Sequence, residues 1–152
     1  MLHIRPKDKR LACDLNTNVL VSALRSAYGA SYKLIALLPA KQFQMVLTVP
    51  LYTEYQDVLT RDEHMTGAST AEEILNFVRY LCQLAHQQEV YFLWRPFLRD
   101  PKDDMVLEAA IASASDYIIA HNLRDFRSID VFGIKAVTPA QFLARLEGME
   151  HI

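Results

Sequence analysis

Glycine is scarce in this chain: there are four in 152 residues. So few leave no glycine-rich loop to cradle a phosphate with backbone N–H groups, and no Gly-x-Ser-x-Gly turn to expose a nucleophilic serine. Cysteine is scarcer still. Cys13 and Cys82 have no short metal-ligand spacing and are too few for a disulfide scaffold. They are expected to be free thiols in a reducing cytosol. A basic excess is also missing, since the net charge is −2. That excludes a broad electrostatic nucleic-acid binder. It leaves open an enzyme whose local acidic pocket is neutralised by metal ions and rimmed by basic residues. No stretch reaches the ~18 apolar residues of a membrane helix. The basic start, Met1 to Arg10, leads into Leu15–Leu24, which Asn16, Thr17 and Asn18 interrupt. That is a poor signal-peptide core, and the expectation is a cytoplasmic protein with no membrane partner.

What remains is the material of one globular domain, residues 1–152. Hydrophobic residues make up 51% of the chain, enough to build a core rather than a disordered segment. No repeat or linker divides it. Short apolar segments alternate with helical patterns. Arg10–Cys13 reads as a buried strand ending at Asp14, and Asn16, Thr17 and Asn18 offer N-caps for a helix through Val19–Leu24. A second helix is expected over Ser31–Leu38, stopped by Pro39. Gln44–Val49 reads as a strand, followed by a helix with Pro50 in its first turn. Asp62 to Ser69 reads as a loop. Thr70 and Glu73 have capping-box spacing before a long helix reaching Gln88. Strands are expected at Val90–Trp94, Tyr117–Ala120 and Ile134–Val137. An acidic loop, Asp100–Asp104, should lead into a helix from Met105 to about Ala114. Thr138 and Pro139 open the last helix. This alternation predicts an α/β fold, a three-layer α/β/α sandwich around a mostly parallel five-stranded sheet. In such sheets, sites form at the carboxyl ends of strands where the strand order reverses.

Asp14 stands at such an edge, where a carboxylate is costly to bury unless paired or bound to a cation. Asn16, two residues on, is placed to orient it or a water. Position alone does not choose between this and simple capping. Asp100, Asp103 and Asp104 form an acidic cluster. Acids at a helix start suit the macrodipole, but three in five residues exceed what capping needs. Glu54 borders the apolar stripe of its helix, and an exposed glutamate is the blander reading. His121, Asn122 and Asp125 follow the fourth strand at the same edge. Arg95, Arg99, Lys102, Arg124 and Arg127 flank it, either as contacts to an RNA backbone or as ordinary surface charge.

Taken together, these segments resemble the PIN-domain family. Asp14–Leu24 is similar to its opening segment, Pro50–Leu59 to its second-acid helix and Asp100–Ala110 to its third-acid segment. Ser115–Ala120 and Ile134–Phe142 resemble the strand after that and the closing strand and helix. The likeness is nearest to toxin components of bacterial toxin–antitoxin pairs, related to VapC-type toxins. It implies a metal-dependent endoribonuclease, leaving 5′-phosphate and 3′-hydroxyl ends, with Mg²⁺ or Mn²⁺ as cofactor. It also implies RNA as substrate, a cognate antitoxin as partner and a homodimer. The catalytic acids carry over as Asp14, Glu54 and Asp104. The fourth acid of the family, in a Thr-x-Asp pattern, is replaced by Ala120-His121-Asn122. Asp125 is the substitute, so the expected metal ligands are Asp14, Asp104 and Asp125, with Asn16 and Asn122 orienting a water. The departure at Asn122 motivates a second hypothesis, a catalytically weak module that binds RNA or protein. A third, an α/β phosphatase or nucleotide-binding protein, lacks the glycine loop it would need.

Overall fold

Asn16 is where the first helix begins, and its side chain shows why. Its Oδ1 accepts the backbone N–H of Asn18 at 3.1 Å, capping α1 (Thr17–Arg25) directly after β1 (Leu11–Leu15). The computed structural model describes residues 10–64, 69–90 and 97–150. After α1 come α2 (Ala30–Ala36), β2 (Phe43–Leu47), α3 (Val49–Leu59) and α4 (Ala71–Leu84). Then follow β3 (His86–Gln87), α5 (Pro101–Ala112), β4 (Tyr117–Ile119), β5 (Lys135–Val137) and α6 (Pro139–Glu150). Short 3₁₀ turns cover Asp62–His64, Leu123–Phe126 and Ile129–Phe132.

Among the described residues the strands form one all-parallel sheet, in the order β3-β2-β1-β4-β5, flanked by six helices. This is the expected α/β sandwich. The central strand β1 pairs with β2 through Leu11↔Phe43 to Cys13↔Met45, and with β4 through Cys13↔Tyr117 to Leu15↔Ile119. The chain moves outward from β1 to β2 and β3, then crosses back to β4 on the other side. The strand order therefore reverses between β1 and β4, which puts a crevice at their carboxyl ends. Four of the five β1 residues are buried, as a strand covered on both faces requires. Phe142 of α6 meets both Phe43 and Tyr117 edge-on, at 5.3 and 5.5 Å between ring centres, and anchors the last helix on the sheet.

One expectation lies outside the described residues and three need correction. The strand expected at 90–94 falls almost wholly on residues 91–96, outside the described ones. The third described strand is instead His86–Gln87, paired with Val46 and Leu47. The long helix accordingly stops at Leu84, not Gln88. His86 and Gln87 carry no apolar or branched side chain, so nothing in their pattern signals an edge strand. The second helix also stops early, at Ala36. Finally, the acidic stretch before Met105 is helix, not loop. Asp100 caps it by accepting the N–H of Lys102 at 2.9 Å, and Pro101 opens the first turn. Asp103 and Asp104 thus lie in the first turn of α5, where the macrodipole favours negative charge.

Candidate metal-binding edge

Asp14 is fully buried in the central strand, and both of its carboxylate oxygens are shielded from solvent. The cost of burying a carboxylate there registers on its neighbours. The Tyr55 hydroxyl and the Cys13 thiol are both pushed well up in pKa, first by their own burial and then by the charge of Asp14. Cys13 is an inert core thiol as a result.

Glu54 comes from the first half of α3, whose start is set by Thr48 accepting the N–H of Leu51. Its Oε1 is buried without a hydrogen bond and lies 3.9 Å from Lys102 Nζ. The blander reading of an exposed helical glutamate is thereby corrected: its side chain is only 10% exposed and turns toward α5.

The two acids of α5 are adjacent on a helix, so they point in directions about 100° apart. Asp104 is buried, and its Oδ1 accepts the N–H of Leu98 at 2.9 Å. Asp103, also buried, has a different partner. Its Oδ1 accepts from Asn16 Nδ2 at 3.0 Å. Its pKa is raised to about 6, first by burial, then by the charges of Asp125 and Asp100, with the Asn16 hydrogen bond opposing. The structure therefore brings Asp103, Asn16 and Asp125 into one neighbourhood, reached from β1 through Asn16, two residues after Asp14. Choosing Asp104 alone from the acidic cluster missed Asp103. The missed signal is the helix start: once Asp100 is read as N-cap, Asp103 becomes N3, on a different face from Asp104.

Asn122 is an N-cap, with Oδ1 accepting the N–H of Arg124 at 3.3 Å. The turn Leu123–Phe126 that it caps is a 3₁₀ helix carrying Asp125. Arg99, Arg124 and Arg127 line a cleft of about 530 Å³ together with Asn122 and Asp125. Lys102 faces Glu54 rather than this cleft. Arg95 lies outside the described residues. His121 is exposed and hydrogen-bonded to Ser22 Oγ through Nε2 at 2.8 Å, a pairing across 99 positions that no local pattern announces.

Among the described residues, no three His, Cys, Asp or Glu side chains converge tightly enough to hold an ion as they stand. The donor set nevertheless suits a hard divalent cation. It consists of carboxylate oxygens, several of them buried, at one sheet edge. Mg²⁺ commonly takes only one or two carboxylates and keeps its waters. Burial first and the neighbouring acids Asp125 and Asp100 second disfavour a charge on Asp103.

Buried acids thus lie on β1, α3 and α5, and a cleft lined by Arg99, Arg124 and Arg127 accompanies them. The chain matches the PIN-domain family model over residues 15–124 and belongs to that family, whose members are typically metal-dependent nucleases. Asp14 and Asp125 border the matched span on either side. No curated protein matches the chain.

Proposed function

We propose that the protein is a metal-dependent endoribonuclease, the toxin of a toxin–antitoxin pair, acting in the cytoplasm as a homodimer and restrained by a cognate antitoxin. The observation that carries this reading is the burial of the Asp14 carboxylate on β1 and of Glu54 Oε1 on α3, together with Asp103 at the start of α5, whose pKa the charge of Asp125 helps to raise. Asp14, Asp104 and Asp125 remain the proposed metal ligands, and Asp103 joins them because it faces the same neighbourhood. A bound Mg²⁺ or Mn²⁺ supplies an ionised water at neutral pH and positive charge for the phosphoryl oxygens. Asn16 holds Asp103 in place. Arg99, Arg124 and Arg127 offer guanidinium groups for the backbone phosphates of an RNA strand, delivering it to the acids. Glu54 keeps Lys102 as its counter-charge in the metal-free state.

The test is RNA cleavage by the purified protein with Mg²⁺ or Mn²⁺. Asp14→Asn, Asp104→Asn and Asp103→Asn are each expected to lower the rate by roughly a hundredfold or more, since even residues that only orient a metal's ligands are worth 10–100-fold. Circular dichroism should show each variant folded. Growth arrest on expression, relieved by Asp14→Asn, tests the toxin part of the reading. Unchanged cleavage in Asp14→Asn refutes the metal site. The cap role of Asn122 favours one competing reading, a weakly active module that binds RNA or protein. RNA binding with no cleavage in either metal would establish it.

A further inference from the structure

We infer that Tyr55 is a positioning residue for the acidic edge: its hydroxyl locks the helix that carries Glu54 to the strand that carries Asp14. The inference rests on the nuclease reading above. Tyr55 is fully buried, and its hydroxyl donates to the backbone carbonyl of Leu15 at 2.5 Å. A buried tyrosine needs a partner for its O–H, and a phenylalanine would fill the same space without that demand. The partner is what makes this hydroxyl more than packing.

The carbonyl of Leu15 belongs to the peptide that joins Leu15 to Asn16. On the β4 side, that peptide is held by Asn16 N–H donating to Ile119 at 2.9 Å. On the β2 side, the β1 ladder has already ended at Cys13↔Met45. The tyrosine hydroxyl takes the place of the missing strand. It therefore fixes the peptide from the one direction the sheet leaves open. Everything immediately around this peptide serves the site. Asp14 precedes it in the strand. Asn16 follows it and spends its amide on Asp103. Glu54 sits next to Tyr55 on α3. One hydrogen bond thus sets the spacing of three acid-bearing elements, β1, α3 and, through Asn16, α5. Losing it frees the peptide plane and with it the directions of Asp103 and Glu54, without removing any ligand.

The experiment compares Tyr55→Phe with Ser113→Ala. Ser113 Oγ also donates to a buried backbone carbonyl, that of Ala109 at 2.8 Å, but at the far end of α5 from the acids. Both variants lose a buried hydrogen bond, so both should melt somewhat lower than the wild type when metal-free. Calorimetric titration with Mn²⁺ then separates them. Tyr55→Phe is expected to weaken Mn²⁺ binding by about tenfold, while Ser113→Ala stays within about twofold of wild type. Equal Mn²⁺ affinity in Tyr55→Phe and wild type overturns the inference. So does a loss in both variants that tracks their melting temperatures, because Tyr55 would then be merely structural. A wild-type protein that binds no Mn²⁺ overturns the metal reading itself, and the inference with it, and is distinguishable from both.

Discussion

At the scale of single residues, Asp103 links fold stability to pH. Its pKa in the fold is about 6, against an ordinary aspartate value near 3.9. Between those values the folded protein holds a proton that the unfolded chain has lost. Stability from this group is therefore greatest at low pH and falls as pH rises through about 6, then levels off. Asp103→Asn has no such charge to bury. Metal-free wild type and variant should differ little in melting temperature at about pH 4, and the variant should gain on the wild type as pH rises to about 6.5, with little further gain above it. A difference independent of pH would contradict the assignment. Asp125 poses a second question, which acid replaces the one missing at Asn122. Asn122 has committed its oxygen to capping, whereas Asp125 bears electrostatically on Asp103. Asp125→Ala should weaken Mn²⁺ binding at least as much as Asn122→Ala in a calorimetric titration. If only the asparagine change matters, Asp125 is surface charge.

At the scale of elements, helices with strong caps were legible in the sequence. Thr70 and Glu73 form the capping box that their spacing predicts, and Asn16 caps α1 as offered, whereas Thr48 caps α3 from inside the expected strand. Elements without an apolar signature were not. The edge strand His86–Gln87 is visible only through its pairing with β2. The candidate site was legible as a list of acids, because strand ends and helix starts in an α/β alternation all fall on one edge. Which way each acid points was not legible. That depends on helix phase, and misplacing the start of α5 by four residues hides the divergence of Asp103 from Asp104. The same holds for the arginines. Their cleft joins residue 99 to residues 124 and 127 through the fold, not through sequence proximity. If that cleft guides RNA, Arg124→Ala or Arg127→Ala should lower the salt dependence of RNA binding, by roughly 0.7 in the log–log slope per arginine for a single strand. Mn²⁺ affinity should stay unchanged. An unaltered slope would assign the RNA path elsewhere.

At the scale of the whole molecule, α1 and α2 leave Leu24, Tyr28, Tyr32 and Leu37 exposed on neighbouring segments. With the proposed homodimer, light scattering at tens of micromolar should return twice the mass of 17.4 kDa. A monomer mass would count against it. No helix among the described residues is long and apolar enough to cross a membrane. The strand order carries one more consequence, and it concerns time. A ribosome makes β1 first, yet β1 lies at the centre of the sheet, and its β4 neighbour is not made until residues 117–119. The acids at 14 and 54 emerge long before Asp103 and Asp125. A domain of this kind folds as a unit. An unfinished or truncated chain ending before β4 therefore lacks Asp125 and holds an open central strand. On the proposed reading as a toxin that cuts the RNA of its own cell, activity arrives only when nearly the whole chain has left the ribosome.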